Sequence, residues 1–396
     1  MQPFEGRRRQ LLRGALSAAA ALLLKGSEPS ALRPPDRARD PARPDSRSRL
    51  SAETSMTMGC KAWIAGCSGT SLTEDERRFF ADERPWGFIL FGRNIHSAEQ
   101  LSDLVAALKD VGGRERVPVF VDQEGGRVQR LRPPLAPSYP PSATLGRIHD
   151  ADPRKGERAA WLQGRLLAHD LMGYGINADC LPCLDLPVEG AHSVIGDRAY
   201  GTDPVVVATL GRAAADGLVA GGVLPVMKHM PGHGRGNADS HLELPVVDAH
   251  RSTLAERDFA PFVALKTLPA AMTAHLLFTD IDPTFPATLS PIVIESVIRH
   301  EIGFDGLLMT DDMSMKALRG DIGDLARQAI SAGCDVALHC NGDMAEMRKV
   351  ASAVQPLRDE ALRRALHAEA FLAPHRPSLD EAGLRAEFDE LVARVA

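Results

Sequence analysis

Gly222-Val223-Leu224-Pro225-Val226-Met227-Lys228-His229-Met230-Pro231-Gly232-His233-Gly234 changes character at Lys228. The first six residues form a continuous apolar run, the pattern of a strand buried on both faces of a parallel sheet. From Lys228 the chain turns polar and continues through Arg235-Gly236-Asn237-Ala238 into Asp239-Ser240-His241. The fourteen residues from Lys228 to His241 hold three histidines, a lysine and a carboxylate, with glycines at 232, 234 and 236. A buried strand whose exit is crowded with titratable groups is how parallel α/β folds assemble active sites.

Seven further apolar runs share the character of the first half of this stretch. They are Ala62–Gly66, Gly87–Phe91, Val117–Asp122, Ile176–Asp185, Ala270–Phe278, Gly306–Asp311 and Asp335–Cys340, with Gly222–Met230 fifth in order. Helical patterns separate them. Thr73-Glu74-Asp75-Glu76 and Ser97-Ala98-Glu99-Gln100 fit capping boxes, and Ser290-Pro291 offers an N-cap followed by proline at the first helical position. Residues 154–172, 253–266 and 357–372 read as helices. Alternation of eight strands with helices predicts an α/β fold, a (β/α)8 TIM-type barrel in a single domain over residues 56–396. A doubly wound open sheet is the alternative, since periodicity does not show closure.

Composition narrows the function. The chain has 44% hydrophobic and 25% charged residues, ample for a large core. Residues 1–55 carry 11 Lys and Arg against 6 Asp and Glu, and the remaining 35 and 46 leave residues 56–396 at a net −11. So acidic a body is a poor polyanion binder, and with only 5% aromatics it lacks a stacking surface, so no nucleic-acid partner is expected. No apolar run reaches the roughly 18 residues of a membrane span. Residues 1–55 read as an extension outside the folded domain, with Met56 or Met58 the working initiator. The alternative is an export signal, loosely twin-arginine, in Arg7-Arg8-Arg9 and the apolar run from Ala15 to Leu24. The six scattered cysteines read as free thiols of a reducing compartment, and Cys180-Leu181-Pro182-Cys183, inside an apolar run, as structural rather than metal-binding.

Polar groups stand at most strand exits: Asp122 and the following Gln123-Glu124-Gly125-Gly126-Arg127, Asp185, Lys228-His229, His275, Asp311-Asp312 and Asn341. Charged residues are seldom buried unless paired or functional. Asp185 and Asp197 admit a loop-capping role, His233 a backbone-bonding one, and His275 either core packing or substrate contact. The residue types suit glycosidic bond cleavage, in which a proton donor serves the leaving oxygen and a carboxylate attacks the anomeric carbon. Asp311, on a strand end, suits the nucleophile, although strand parity does not choose between it and Asp312. His241 with Asp239 suits the acid/base, on a glycine-containing loop able to swing in. A metal-dependent barrel using His229, His233, Asp239 and His241, and a non-catalytic sugar binder, are the competing readings.

Lys-His-x-Pro-Gly-His-Gly followed by Asp-Ser-His resembles the signature of bacterial β-N-acetylglucosaminidases of glycoside hydrolase family 3, in particular the single-domain cytoplasmic enzymes of peptidoglycan recycling. The likeness takes in Ile89-Leu90-Phe91, Asp122 to Arg127, Gly196-Asp197-Arg198, Thr310-Asp311-Asp312-Met313-Ser314-Met315 and Leu338-His339-Cys340-Asn341. The resemblance implies a retaining exo-acting hydrolase that releases terminal β-linked N-acetylglucosamine from muropeptides, with neither metal nor cofactor, as a cytoplasmic monomer. It implies Asp311 as nucleophile, His241 as acid/base assisted by Asp239, and sugar binding by Asp122, Arg130, Arg198, Lys228 and His229. A β-glucosidase of the same fold would share Lys-His but not Asp-Ser-His. Arg235 stands where many relatives have Asp, a charge change expected to bear on docking of the peptide stem.

Overall fold

The computed structural model describes residues 57–240, 242–373, 375 and 377–395. The 1–55 extension, with its signal-like segment, lies outside the described residues, as does His241.

Eight strands form where the apolar runs predict them: β1 (Lys61–Gly66), β2 (Pro85–Leu90), β3 (Val119–Val121), β4 (Ala178–Asp179), β5 (Leu224–Met230), β6 (Ala270–Thr273), β7 (Leu307–Asp312) and β8 (Val336–His339). Each pairs in parallel with its neighbours in sequence, and β8 returns to β1. The sheet is therefore a closed (β/α)8 barrel rather than an open, doubly wound one. Every residue of β2 and β5 is buried, which is why these runs show no alternation of apolar and polar residues. The fourth run is the irregular one. Its regular ladder covers only Ala178–Asp179, and Cys180 to Asp185 continues as extended chain whose carbonyls at Leu181 and Pro182 accept the Val226 and Lys228 amides at 3.0 and 2.9 Å. Pro182 has no N–H to return to a ladder.

Local signals place the helices. Thr73 and Glu76 form a complete capping box, each side chain accepting the other's backbone N–H. Ser97 accepts the Gln100 amide at 3.3 Å, but the Gln100 side chain takes the His96 amide instead of closing the box. The expected helix over 253–266 is two pieces, Arg251–Glu256 and Ala260–Ala264, because Pro261 cannot donate back into a continuing helix. Ser290 accepts the Val293 amide at 3.0 Å, and the segment it caps, Val293–Glu301, winds as a wide π-helix. No helix among the described residues is long and apolar enough to cross a membrane.

Helices Pro153–Gly173 and Pro204–Ala220 pack against each other through glycines. A Cβ on Gly164 would stand 2.2 Å from the Ala214 carbonyl oxygen, and one on Gly217 2.2 Å from that of Trp161. Neither obstacle is a movable side chain, so overpacking by about 1–3 kcal/mol follows. Gly164→Val should lower the denaturation midpoint accordingly. An unchanged midpoint would contradict so close a helix contact.

Candidate active site

The exit of β3 builds one wall. Residues Gln123–Gly125 turn back on Val128–Gln129 as a short antiparallel ribbon, and its turn places Gly125 at φ +99°, a conformation that favours glycine. The Gln123 side-chain oxygen accepts the Arg130 and Leu131 amides, both at 2.9 Å, so Arg130 is held beside the strand end it left. There its guanidinium donates to Asp122 Oδ2 at 3.0 Å and lies over the Phe91 ring, 5.3 Å from the centroid.

Lys228, at the end of β5, occupies the middle of a buried charge network. Its Nζ is 2.9 Å from Asp122 Oδ1 and 2.6 Å from Glu124 Oε1. Glu124 also receives Arg198 through two parallel bonds, Nε to Oε2 at 2.8 Å and Nη2 to Oε1 at 2.7 Å. Burial alone would push these carboxyls up and the lysine down. The opposite charges win: Asp122 is held far below the usual carboxylate range by Lys228 and Arg130, Glu124 falls to about 2 through Arg198 and Lys228, and Lys228 is pushed well up. Three cations thus face two carboxylates. Lys228 is only 2% exposed whereas Arg130 retains 30%, so Arg130 and Asp122 present more of the network to a ligand than the lysine does.

Asp185 organises the next turn. Its Oδ1 accepts the His229 and His233 amides at 3.3 and 2.6 Å, and its Oδ2 accepts from His229 Nδ1 at 2.6 Å and from the Cys183 thiol at 3.3 Å. Asp185 therefore fixes both His229 and the start of the glycine-rich loop. Within that loop Gly234 serves close approach: a Cβ there would lie 1.8 Å from the Leu186 carbonyl oxygen. His233 is buried, its ring lowered to a pKa of about 4 by desolvation and by His229 beside it, and its Nε2 sits 3.3 Å from Ser240 Oγ. The Ser240 carbonyl in turn accepts the Ala317 amide at 3.1 Å. Asp239 is half-buried, its backbone carbonyl accepting the Leu242 and Glu243 amides. Arg235 clasps buried Asp258 at 2.8 and 3.0 Å rather than extending outward.

At β7 the pairing with β8 slips register between Met309 and Asp312, and Thr310 Oγ1 accepts the Leu338 amide at 2.8 Å. Such a slip re-aims side chains beside a site. The two aspartates that follow are treated differently. Asp312 is consumed by its own loop, accepting the Ser314 amide and hydroxyl at 3.0 and 2.6 Å and the Cys340 amide at 3.1 Å. Asp311 accepts one amide, from Asp312 at 2.8 Å, and no side chain among the described residues holds it. Burial raises its carboxyl, but His275, His229 and Lys228 outweigh that and leave it below the ordinary value. His275 is fully buried between Thr288 Oγ1 at 2.7 Å and the Asp312 carbonyl at 3.0 Å. A carbonyl only accepts, so Nε2 carries the proton, and desolvation pulls the ring's pKa down. Of its two open roles, the structure gives it the packed one.

The model of the glycosyl hydrolase family 3 N-terminal domain matches residues 62–367. The chain belongs to this family. A β-hexosaminidase of Alkalilimnicola ehrlichii is 40% identical over 282 residues, spanning 70% of this chain and 80% of that protein. Among solved structures, NagZ from Neisseria gonorrhoeae in complex with N-trifluoroacetyl-D-glucosamine aligns with a TM-score of 0.75 at 32% identity, covering 85% of this chain and 99% of that one. A family 3 β-N-acetylglucosaminidase from Paenibacillus aligns at a TM-score of 0.72 and 31% identity, covering 86% and 67%.

The structure gathers Asp122, Arg130, Arg198, Lys228, His229 and Asp311 at the strand exits. Glu124, which sequence places at the β3 exit without a role, and Asp185, whose role it leaves open, both bind these residues. Glu124 had a readable signal, standing two residues beyond Asp122 and so on the same side of extended chain. Glu124→Gln leaves Lys228 and Arg198 short of one buried carboxylate, a loss of about 3–5 kcal/mol. The native carboxyl is depressed, so its stabilisation is complete above the ordinary value of 4.5 and fades as pH falls toward 2. Chemical denaturation of both proteins across this range should show the gap closing on the acid side. A gap constant with pH would refute the ionised network.

Proposed function

We propose that the chain is a retaining exo-β-N-acetylglucosaminidase that removes terminal β-linked N-acetylglucosamine from muropeptides during peptidoglycan recycling. The names of its relatives, a β-hexosaminidase and NagZ with a bound N-acetylglucosamine analogue, support the sugar. The observation that carries the mechanism is the contrast between Asp312, bound up in its loop, and Asp311, ionised and beside the cationic wall.

In this reading Asp311 attacks the anomeric carbon while the imidazolium of His241, oriented by Asp239, gives its proton to the leaving oxygen. The neutral His241 then takes a proton from water as that water's oxygen attacks the glycosyl ester, which restores both groups. Asp122, Arg130, Arg198, Lys228 and His229 bind the sugar, Arg130 and Asp122 by direct charge-assisted hydrogen bonds. Arg198 also fixes Glu124. The enzyme works as a cytoplasmic monomer on a soluble muropeptide. Six free cysteines accord with a reducing compartment.

Asp311→Asn should lower kcat/KM on an aryl β-N-acetylglucosaminide by at least about 10³-fold. Asp312→Asn, which loosens a loop, should lose far less. His241→Ala should lose about 10²–10⁴-fold on a muropeptide disaccharide, whose leaving group needs protonation, and much less on an aryl glycoside with a good leaving group. Equal losses by His241→Ala on both substrates would remove it as the acid/base.

A further inference from the structure

The glycines that follow Lys228 are held rather than hinged. The His233 amide is tied to Asp185, Gly234 rests against the Leu186 backbone, and Arg235 clasps Asp258. The Gly236 carbonyl accepts the His192 amide at 2.9 Å. Asn237 Oδ1 then accepts the Val246 amide at 2.8 Å, which closes residues 238–245 into a short arm bearing Asp239, Ser240 and His241. Leu242 on this arm is 66% exposed, whereas Ser240 is 3% exposed and bonded in two directions. Its Oγ lies 3.3 Å from His233 Nε2 at the base of the arm, and its carbonyl accepts the Ala317 amide at 3.1 Å.

Ala317 belongs to the loop that leaves β7. The Met315 amide donates to the Asp312 carbonyl and the Leu318 amide to the Met315 carbonyl, both at 3.1 Å, so consecutive turns lead from the aspartate pair to Ala317. Ser240 thus stands in a line of bonds. The line starts at the strand end that bears Asp311, crosses to the arm at Ser240, and runs through His233 to Asp185. A buried hydroxyl or carbonyl costs free energy unless it is bonded, so the two tethers together favour one seating of Ser240.

We propose, on the hydrolase reading above, that Ser240 is a positioning residue: it ties the arm that carries Asp239 and His241 to the loop behind the nucleophile, and so sets the reach of the catalytic proton. Ser240 is buried and acts through its neighbours rather than on the sugar. Asp239 and His241 flank it in sequence, so one anchor lies within a residue of both members of the pair. A general acid works only within hydrogen-bond reach of the oxygen it protonates, about 2.6–3.2 Å, and a misplacement of about 1 Å costs on the order of 10²-fold in rate. An arm freed at Ser240 visits many positions, few of them productive. Asp311 stands on a strand end and keeps its place. Loss of the anchor therefore falls on protonation of the leaving group and spares nucleophilic attack.

The test is a leaving-group comparison on the full chain. Ser240→Ala should lower kcat/KM on a muropeptide disaccharide by about 10–100-fold, mostly through kcat, and on a dinitrophenyl N-acetylglucosaminide by less than about 3-fold. That is the signature of His241→Ala at smaller size. His233→Asn breaks the same bond from its other side and should show the same selectivity, which also covers a Ser240→Ala protein that does not fold. In the wild type, amide hydrogen exchange should find the Ala317 N–H at least about 10-fold slower than in a free chain. Losses of similar size on the two substrates, an undiminished rate on the disaccharide, or an unprotected Ala317 amide would overturn the proposal. A folded wild type that hydrolyses neither substrate would instead sink the functional reading, and the role of Ser240 with it.

Discussion

A lysine ammonium sealed between two carboxylates is the constraint on which the site depends. Lys228 is 2% exposed, and an unpaired charge at such a depth would cost several kcal/mol. Asp122 and Glu124 must therefore stay ionised and close, and both are carried by the segment leaving β3. Each then needs its own second partner, which the return of Arg130 from the ribbon and the bidentate Arg198 from the β4 loop provide. One buried charge thus ties together the exits of three strands. It also leaves the wall with a surplus positive charge, which helps keep Asp311 ionised.

The aspartate pair at β7 shows how a local irregularity makes two chemically identical neighbours unequal. Where the register slips against β8, Asp312 accepts the Cys340 amide, and its own turn adds the Ser314 amide and hydroxyl, so those bonds occupy it. Asp311 is left with one backbone donor and the field of Lys228 and the neighbouring histidines. A carboxylate so placed is ionised without being saturated by hydrogen bonds, the state a nucleophile requires. His275 steadies the pair from the neighbouring strand exit, its Nε2 donating to the Asp312 carbonyl that follows both aspartates.

The barrel was legible because eight parallel strands buried on both faces leave eight apolar runs, and no competing feature of the described chain imitates that spacing. Helix boundaries were legible where caps act locally, as at Thr73 and Glu76, and were misplaced where one proline divides a periodic segment, as at Pro261. Charged groups at the barrel mouth could be found wherever charge follows a strand. What sequence could not supply was partnership. Nothing in the order of residues says that Arg235 clasps Asp258, that Arg198 reaches Glu124 74 positions away, or that Gly234 is required by the Leu186 backbone against it. These depend on which loops the barrel closure brings side by side. The choice of Asp311 over Asp312 depends likewise on register, which pairing sets.

The central claim is that the chain cleaves β-N-acetylglucosaminides through a covalent ester on Asp311. A fluorinated N-acetylglucosaminide with a good leaving group slows breakdown of that ester enough for the labelled peptide to be isolated and sequenced by mass spectrometry. The account predicts one label per chain, on Asp311. A label on Asp312 or Glu124, or turnover of the probe with no covalent adduct at any stage, would contradict it.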